Sequence, residues 1–200
     1  MTKKILPVLI TLFLLLAGCT PASPAPKVDP VSTQESSPIS TLTPIPTASA
    51  FTLTSPDLLE GNRLPAEYTC DGAASTLALD WSSAPAETQS FVVIMHHVAM
   101  DNVIHWYWVL YDIPADVTSL PKNVSGVGLL GNNFNTGNAG YAPPCSQGPG
   151  DKIYTYTVYA LSAQPQISLP AEEISREVML AAIQNITLAS AQLDVVYARP

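Results

Sequence analysis

From Phe51 to Tyr197 the apolar residues come in short runs, rich in β-branched and aromatic side chains and cut by Pro, Gly and Asn. The runs are Phe51 to Thr54, Leu77 to Trp81, Ser90 to Met95, Trp106 to Tyr111, Ile153 to Leu161 and Gln192 to Tyr197. Segments of this length and composition read as strands, and Ile153 to Leu161 alternates Thr155 and Thr157 against Tyr154, Tyr156 and Val158. A single stretch, Ala171 to Gln184, reads as a helix. Pro170 stands near its start, Glu172 and Glu173 suit the positive end of the helix dipole, and Ile174, Val178 and Ala181 fall on one face. The pattern predicts a mostly β, β-rich α+β domain over residues 51–200 with a late helix. No internal repeat is visible, and about 150 residues suffice for one core. Between Leu120 and Gly150 runs a long Gly/Asn/Pro-rich connection, a length commonly functional in a compact domain.

The first fifty residues do not belong to that pattern. Lys3-Lys4, the apolar run Ile5 to Leu16 and the small residues Ala17-Gly18 read as a secretory signal over residues 1–18. About twelve apolar residues are too few to span a bilayer core, which takes about 20 in a helix. Leu16-Ala17-Gly18-Cys19 resembles the bacterial lipobox, which predicts diacylation of Cys19 through its sulfur and a chain anchored on the extracytoplasmic side of a membrane. The competing reading is an ordinary signal peptide with an incidental cysteine. Residues 19–50 are dominated by Pro, Ser and Thr, lack aromatics and show no period, so they read as a disordered tether. Its roughly thirty residues reach ~30 Å as a coil and ~95 Å when polyproline-like.

Charge narrows the function classes. The chain carries 8 Lys plus Arg against 16 Asp plus Glu, a formal charge of −8, and removal of Lys3 and Lys4 with the signal takes it to about −10. Such a surface repels phosphate backbones, and no basic cluster follows residue 4, which excludes nucleic acid as a partner class.

With Cys19 lipidated, Cys70 and Cys145 remain as an even pair in an oxidising compartment, and a disulfide is the natural reading. The competing reading is a catalytic thiol, although neither cysteine has a neighbouring His or basic residue in sequence to lower its pKa.

Several segments, taken together and in order, resemble the phosphatidylethanolamine-binding protein family in its bacterial Raf-kinase-inhibitor-like branch. They are Phe51-Thr-Leu-Thr-Ser-Pro, Leu64-Pro-Ala-Glu-Tyr-Thr-Cys-Asp-Gly, Leu79-Asp-Trp-Ser, Ala84-Pro-Ala with Ser90-Phe-Val-Val-Ile, Ile104-His105-Trp106 with Val109-Leu-Tyr-Asp-Ile-Pro, Gly140-Tyr141 with Pro144-Cys145, and Tyr154 with Tyr159-Ala-Leu. The resemblance implies a large antiparallel sheet packed by a smaller one, short helices near the C-terminus, and an anion pocket at one end of the sheet. It also implies a binding or inhibitory protein without an enzymatic reaction or cofactor. Carried over residue by residue, the ligand-binding set is His105, Gly140, Tyr141 and Tyr154, with Lys152 standing where the family has its second pocket His. The family's acidic turn falls on His97-Val98-Ala99-Met100-Asp101, and Pro143 replaces a Gly. His105 and Lys152 without the two carboxylates favour a small anionic or phosphorylated ligand, or a protein partner.

Two rival classes follow from the residues themselves. His96, His97, Asp101 and His105 lie within about ten residues and suit zinc chemistry, but adjacent histidines on a strand face opposite ways, leaving His97, Asp101 and His105 as the set that can converge. A hydrolase needs an activated nucleophile and an oxyanion site, and the chain has no Gly-x-Ser-x-Gly elbow or phosphate loop.

Overall fold

The computed structural model describes residues 49–145 and 150–199. The signal read over 1–18, Cys19 and nearly all of the tether lie outside the described residues. Among the described residues eight strands and one α-helix follow in chain order: β1 Thr52–Thr54, β2 Leu79–Ser82, β3 Ser90–Val98, β4 Ile104–Pro114, β5 Ser119–Leu120, β6 Leu129–Leu130, β7 Lys152–Leu161, α1 Arg176–Ile183 and β8 Thr187–Tyr197. They form a five-stranded sheet of order β6-β4-β3-β7-β8 and a three-stranded sheet of order β1-β2-β5, every pairing antiparallel. The fold is the β-rich one that the strand pattern predicted.

The core lies between the sheets, where Leu53, Leu79 and Trp81 meet Phe91, Val93, Met95, Trp108, Tyr156 and Val158. The opposite face of the large sheet is covered over half its length by α1, whose Met179 and Ile183 pack with Ile174 on Val92, Ile94, Val109 and Leu161. Strand β3 is thus buried on both faces. That is why Phe91 to Met95 is an unbroken apolar run instead of an alternating one.

Four elements differ from the sequence expectation. The helix expected over Ala171 to Gln184 is split into a 3-10 turn, Ala171–Glu173, and α1. Ser175 breaks it: its extended backbone (ψ 172°) ends the first turn, and its hydroxyl accepts the Val178 amide as an N-cap. Ile174 between the two is plugged into the core, while Asn132 donates its backbone N–H to the Ile174 carbonyl and its side-chain amide to that of Glu172. Gly131 is required beside it, because a Cβ there would sit 2.4 Å from the Ile174 carbonyl oxygen. Strand β8 starts at Thr187, five residues before the expected Gln192. Ala189, Ser190 and Ala191 have little strand preference of their own, and continuous pairing with β7 overrides it. The two-residue strands β5 and β6 carry no legible period at all.

Candidate functional site

One irregularity decides which side chains meet at the end of the large sheet. Along β3 and β4 the register runs Met95 to Trp108, then His96 to Trp106, so Tyr107 is an extra residue, a β-bulge on β4. Tyr107 and Trp108 therefore both face the inter-sheet core, and the alternation is reversed beyond them. Without the bulge His105 would point to the helix side of the sheet. With it, His105 lies on the inner face directly opposite His97.

These two histidines, with Tyr107, Lys152, Tyr154, Phe134, Asp151 and Cys145, line a pocket of about 1070 Å³. Strand β7 supplies Lys152 and Tyr154 at alternate positions, hence on one face. His97 donates from Nδ1 to the Ile153 carbonyl at 2.8 Å, which leaves Nε2 available, and its ring lies over Tyr154 at 5.2 Å. The His105 ring is stacked on Phe134 at 4.1 Å. Tyr107 meets Tyr154 edge to face at 5.4 Å. Burial raises the Tyr154 hydroxyl well above the ordinary phenol value, with Tyr107 adding to it, and burial raises Tyr107 as well. Both phenols are therefore neutral across the physiological range.

Asp151 is the one carboxylate among the described lining residues, and Arg63 engages both its oxygens, at 3.2 and 3.1 Å. Lys152 has no carboxylate partner among the described residues. The lining thus combines an ammonium, two imidazoles and two phenols with a carboxylate whose charge is matched by a guanidinium. Sequence reading missed Arg63 and Asp151, 88 residues apart, because nothing local announces the pair. Tyr107 was within reach, standing two residues from His105 on a strand. Phe134 sits in the long connection and has no such signal.

Gly140 and Tyr141 lie outside this pocket. The Tyr141 hydroxyl donates to the Tyr68 carbonyl at 3.3 Å and its ring meets Trp108 edge-on at 5.7 Å, while the Gly140 N–H donates to the Gly131 carbonyl. Their segment backs the pocket instead: the Ala142 N–H donates to the carbonyl of the bulge residue Tyr107 at 2.8 Å. Cys70 and Cys145 are joined, with Cα atoms 5.3 Å apart.

The sequence pattern of the phosphatidylethanolamine-binding protein family matches residues 54–198. The chain belongs to that family. It is 32% identical over 142 residues to a UPF0098 protein of Methanothermobacter thermautotrophicus, covering 68% of this chain and 91% of that one. A crystal structure of a phosphatidylethanolamine-binding protein homologue from Chlamydia trachomatis superposes with a TM-score of 0.68 at 26% identity, over 76% of this chain and 99% of the homologue. A protein of Mycobacterium tuberculosis that bears the description "Putative lipoprotein LppC" is 24% identical over 159 residues, 79% of each chain.

Within this family fold the metal alternative finds no support. Among the described residues no three His, Cys, Asp or Glu groups are placed to hold an ion. Asp101 is spent at the β3–β4 turn, where its Oδ1 accepts the Val103 amide, and His96 faces the helix side. Burial holds the His96 imidazole below its ordinary value of 6.5, and the Arg176 guanidinium pushes the same way. The unfolded chain therefore binds the proton first. Stability is expected to fall as pH drops below about 6.5, and a His96→Gln variant should lose part of that slope in urea titrations at pH 7 and pH 5. An unchanged slope would refute this assignment.

Proposed function

We propose that this protein is a membrane-anchored, extracytoplasmic binding protein whose pocket takes a small anionic or phosphorylated ligand. The observation that carries it is the local charge reversal: on a chain of net charge −8, one pocket gathers Lys152, His97 and His105, with its carboxylate matched by Arg63. The Lys152 ammonium, the imidazole N–H groups and the phenols are donors for phosphate or carboxylate, through hydrogen bonds that are charge-assisted at the ammonium. The reading is of binding without catalysis. The anchor rests on Leu16-Ala17-Gly18-Cys19 and the tether of residues 19–50, and it is in keeping with the lipoprotein description of LppC. A Cys70–Cys145 bridge suits the same oxidising compartment. A protein partner carrying a phosphoryl or carboxylate group is served by the same donors.

The test is a thermal-shift series with inorganic phosphate, phosphoethanolamine, phosphotyrosine and acetate on the wild type and a His105→Ala, Lys152→Ala double variant. A ligand at one hundred times its dissociation constant stabilises by about 2.7 kcal/mol, which raises Tm by about 5–10 °C in a domain of this size. The wild type should show that rise and the double variant should lose it. Equal rises in both proteins, or none with any anion, would overturn the reading.

A further inference from the structure

The outer face of the large sheet is covered only in part. Helix α1 packs on Val92, Ile94, Val109 and Leu161, and the cluster it forms reaches Trp106; beyond that level no helix lies over the sheet among the described residues. At that end the register pairs Val98 with Ile104 and Ile153 with Val196, and Val98 and Ile153 both reach the pocket. The two pairs make a β-branched row drawn from four strands. Val98 is 50% and Ile153 53% exposed. The row runs on into the β3–β4 turn, where Met100 is 95% exposed and Val103 is 42% exposed. Exposed apolar residues gathered in one patch, unlike those scattered singly, mark a contact surface.

We propose that this face docks on the lipid surface to which the chain is tethered. The inference rests on the anchor reading given above. The length of chain outside the structure favours a lipid over a second copy of the protein. About thirty residues separate Cys19 from Ser49, enough to let the domain lie back on its own membrane. Tethering also makes docking an intramolecular event, so a small apolar area suffices. A stable dimer interface takes about 20–30 residues from each partner, whereas the row and its turn are Val98, Ile104, Ile153, Val196, Met100 and Val103 alone. Charge selects the kind of lipid. The row itself carries no charged side chain to engage an anionic headgroup, and the processed chain is about −10 overall, so the surface it fits is zwitterionic and the contact is apolar and insensitive to salt. Val98, Met100 and Ile153 also line the pocket, which then opens toward the interfacial layer.

The protein carries its own reporter. Met100 is exposed, whereas Met95 and Met179 are fully buried, so a membrane-impermeant oxidant reads Met100 selectively in the folded domain. The processed chain is reconstituted in phosphatidylcholine vesicles, and Met100 oxidation is followed by mass spectrometry before and after release by cleavage at Lys27. Docking is expected to slow oxidation at least about fivefold in the anchored state, for a face covered four-fifths of the time or more. A Val98→Asp, Ile153→Asp variant should remove the protection while remaining on the vesicles. A wild-type chain that stays on the vesicles with unprotected Met100 overturns the docking alone. One that never stays with the vesicles overturns the anchor and the docking together. Protection that appears in the released domain as its concentration rises would assign the face to a second copy and overturn the lipid assignment.

Discussion

Replacing Cys70 and Cys145 together by serine is expected to cost about 4 kcal/mol of stability, the chain-entropy cost of opening a loop that joins residues 75 apart. For a domain whose total stability is on the order of 5–15 kcal/mol, that is a large share. The loop ends are also held without the bridge: the Cys70 N–H donates to the Pro144 carbonyl at 3.0 Å, and the neighbouring Asp71 receives Tyr197 and Arg199. The folded state should therefore persist, displaced to lower urea. Reduction of the wild type should reproduce the variant's midpoint. Because Cys145 lines the pocket, the anion-dependent rise in Tm should shrink in both. A midpoint unmoved by reduction, or a non-reduced digest without the linked peptides, would show the two sulfurs unpaired in solution.

How far the sequence discloses this architecture depends on how local the cause is. Strands β3 and β7 are legible because their apolar or alternating patterns state their own burial. The β-rich class and the layering follow from them and from the family resemblance. The first half of β8 is hidden because Ala189 to Ala191 are held in place by a neighbour, and the break at Ser175 is hidden because a capping serine inside a helical period reads as one more polar residue. At the site the division is the same. His105, Lys152 and Tyr154 are found by matching positions on strands. Arg63 and Asp151 meet only through the fold, and the bulge at Tyr107 that turns His105 inward depends on a cross-strand register that no single strand encodes. Tyr141 shows the converse: its position was matched, but its hydroxyl is used by the Tyr68 carbonyl behind the pocket.

The second large effect is expected at Trp108. This ring, in register with Met95, faces the inter-sheet core, where it is 1% exposed and braces Tyr141. Trp108→Ala should cost about 3–5 kcal/mol, the usual range for emptying a buried aromatic site. Trp106 provides the internal control, since it is only half-buried on the helix side and its chief polar tie is the Nε1–H donated to Asn132 at 2.9 Å. Trp106→Ala should cost markedly less. The path from Trp108 leads through Tyr141 to the Tyr68 carbonyl, two residues before Cys70, so the bridge and the ring restrain the same loop. Residues acting through one shared element are not independent, and their costs should combine with a coupling of about 0.5–3 kcal/mol. A milder Trp108→Phe variant, measured in urea with the bridge intact and reduced, keeps every state foldable. Reduction should cost less in Trp108→Phe than in the wild type, because the loop is already loosened. Equal costs would mean that ring and bridge hold separate parts of the molecule, and that the wall behind the pocket is not the single braced unit described here.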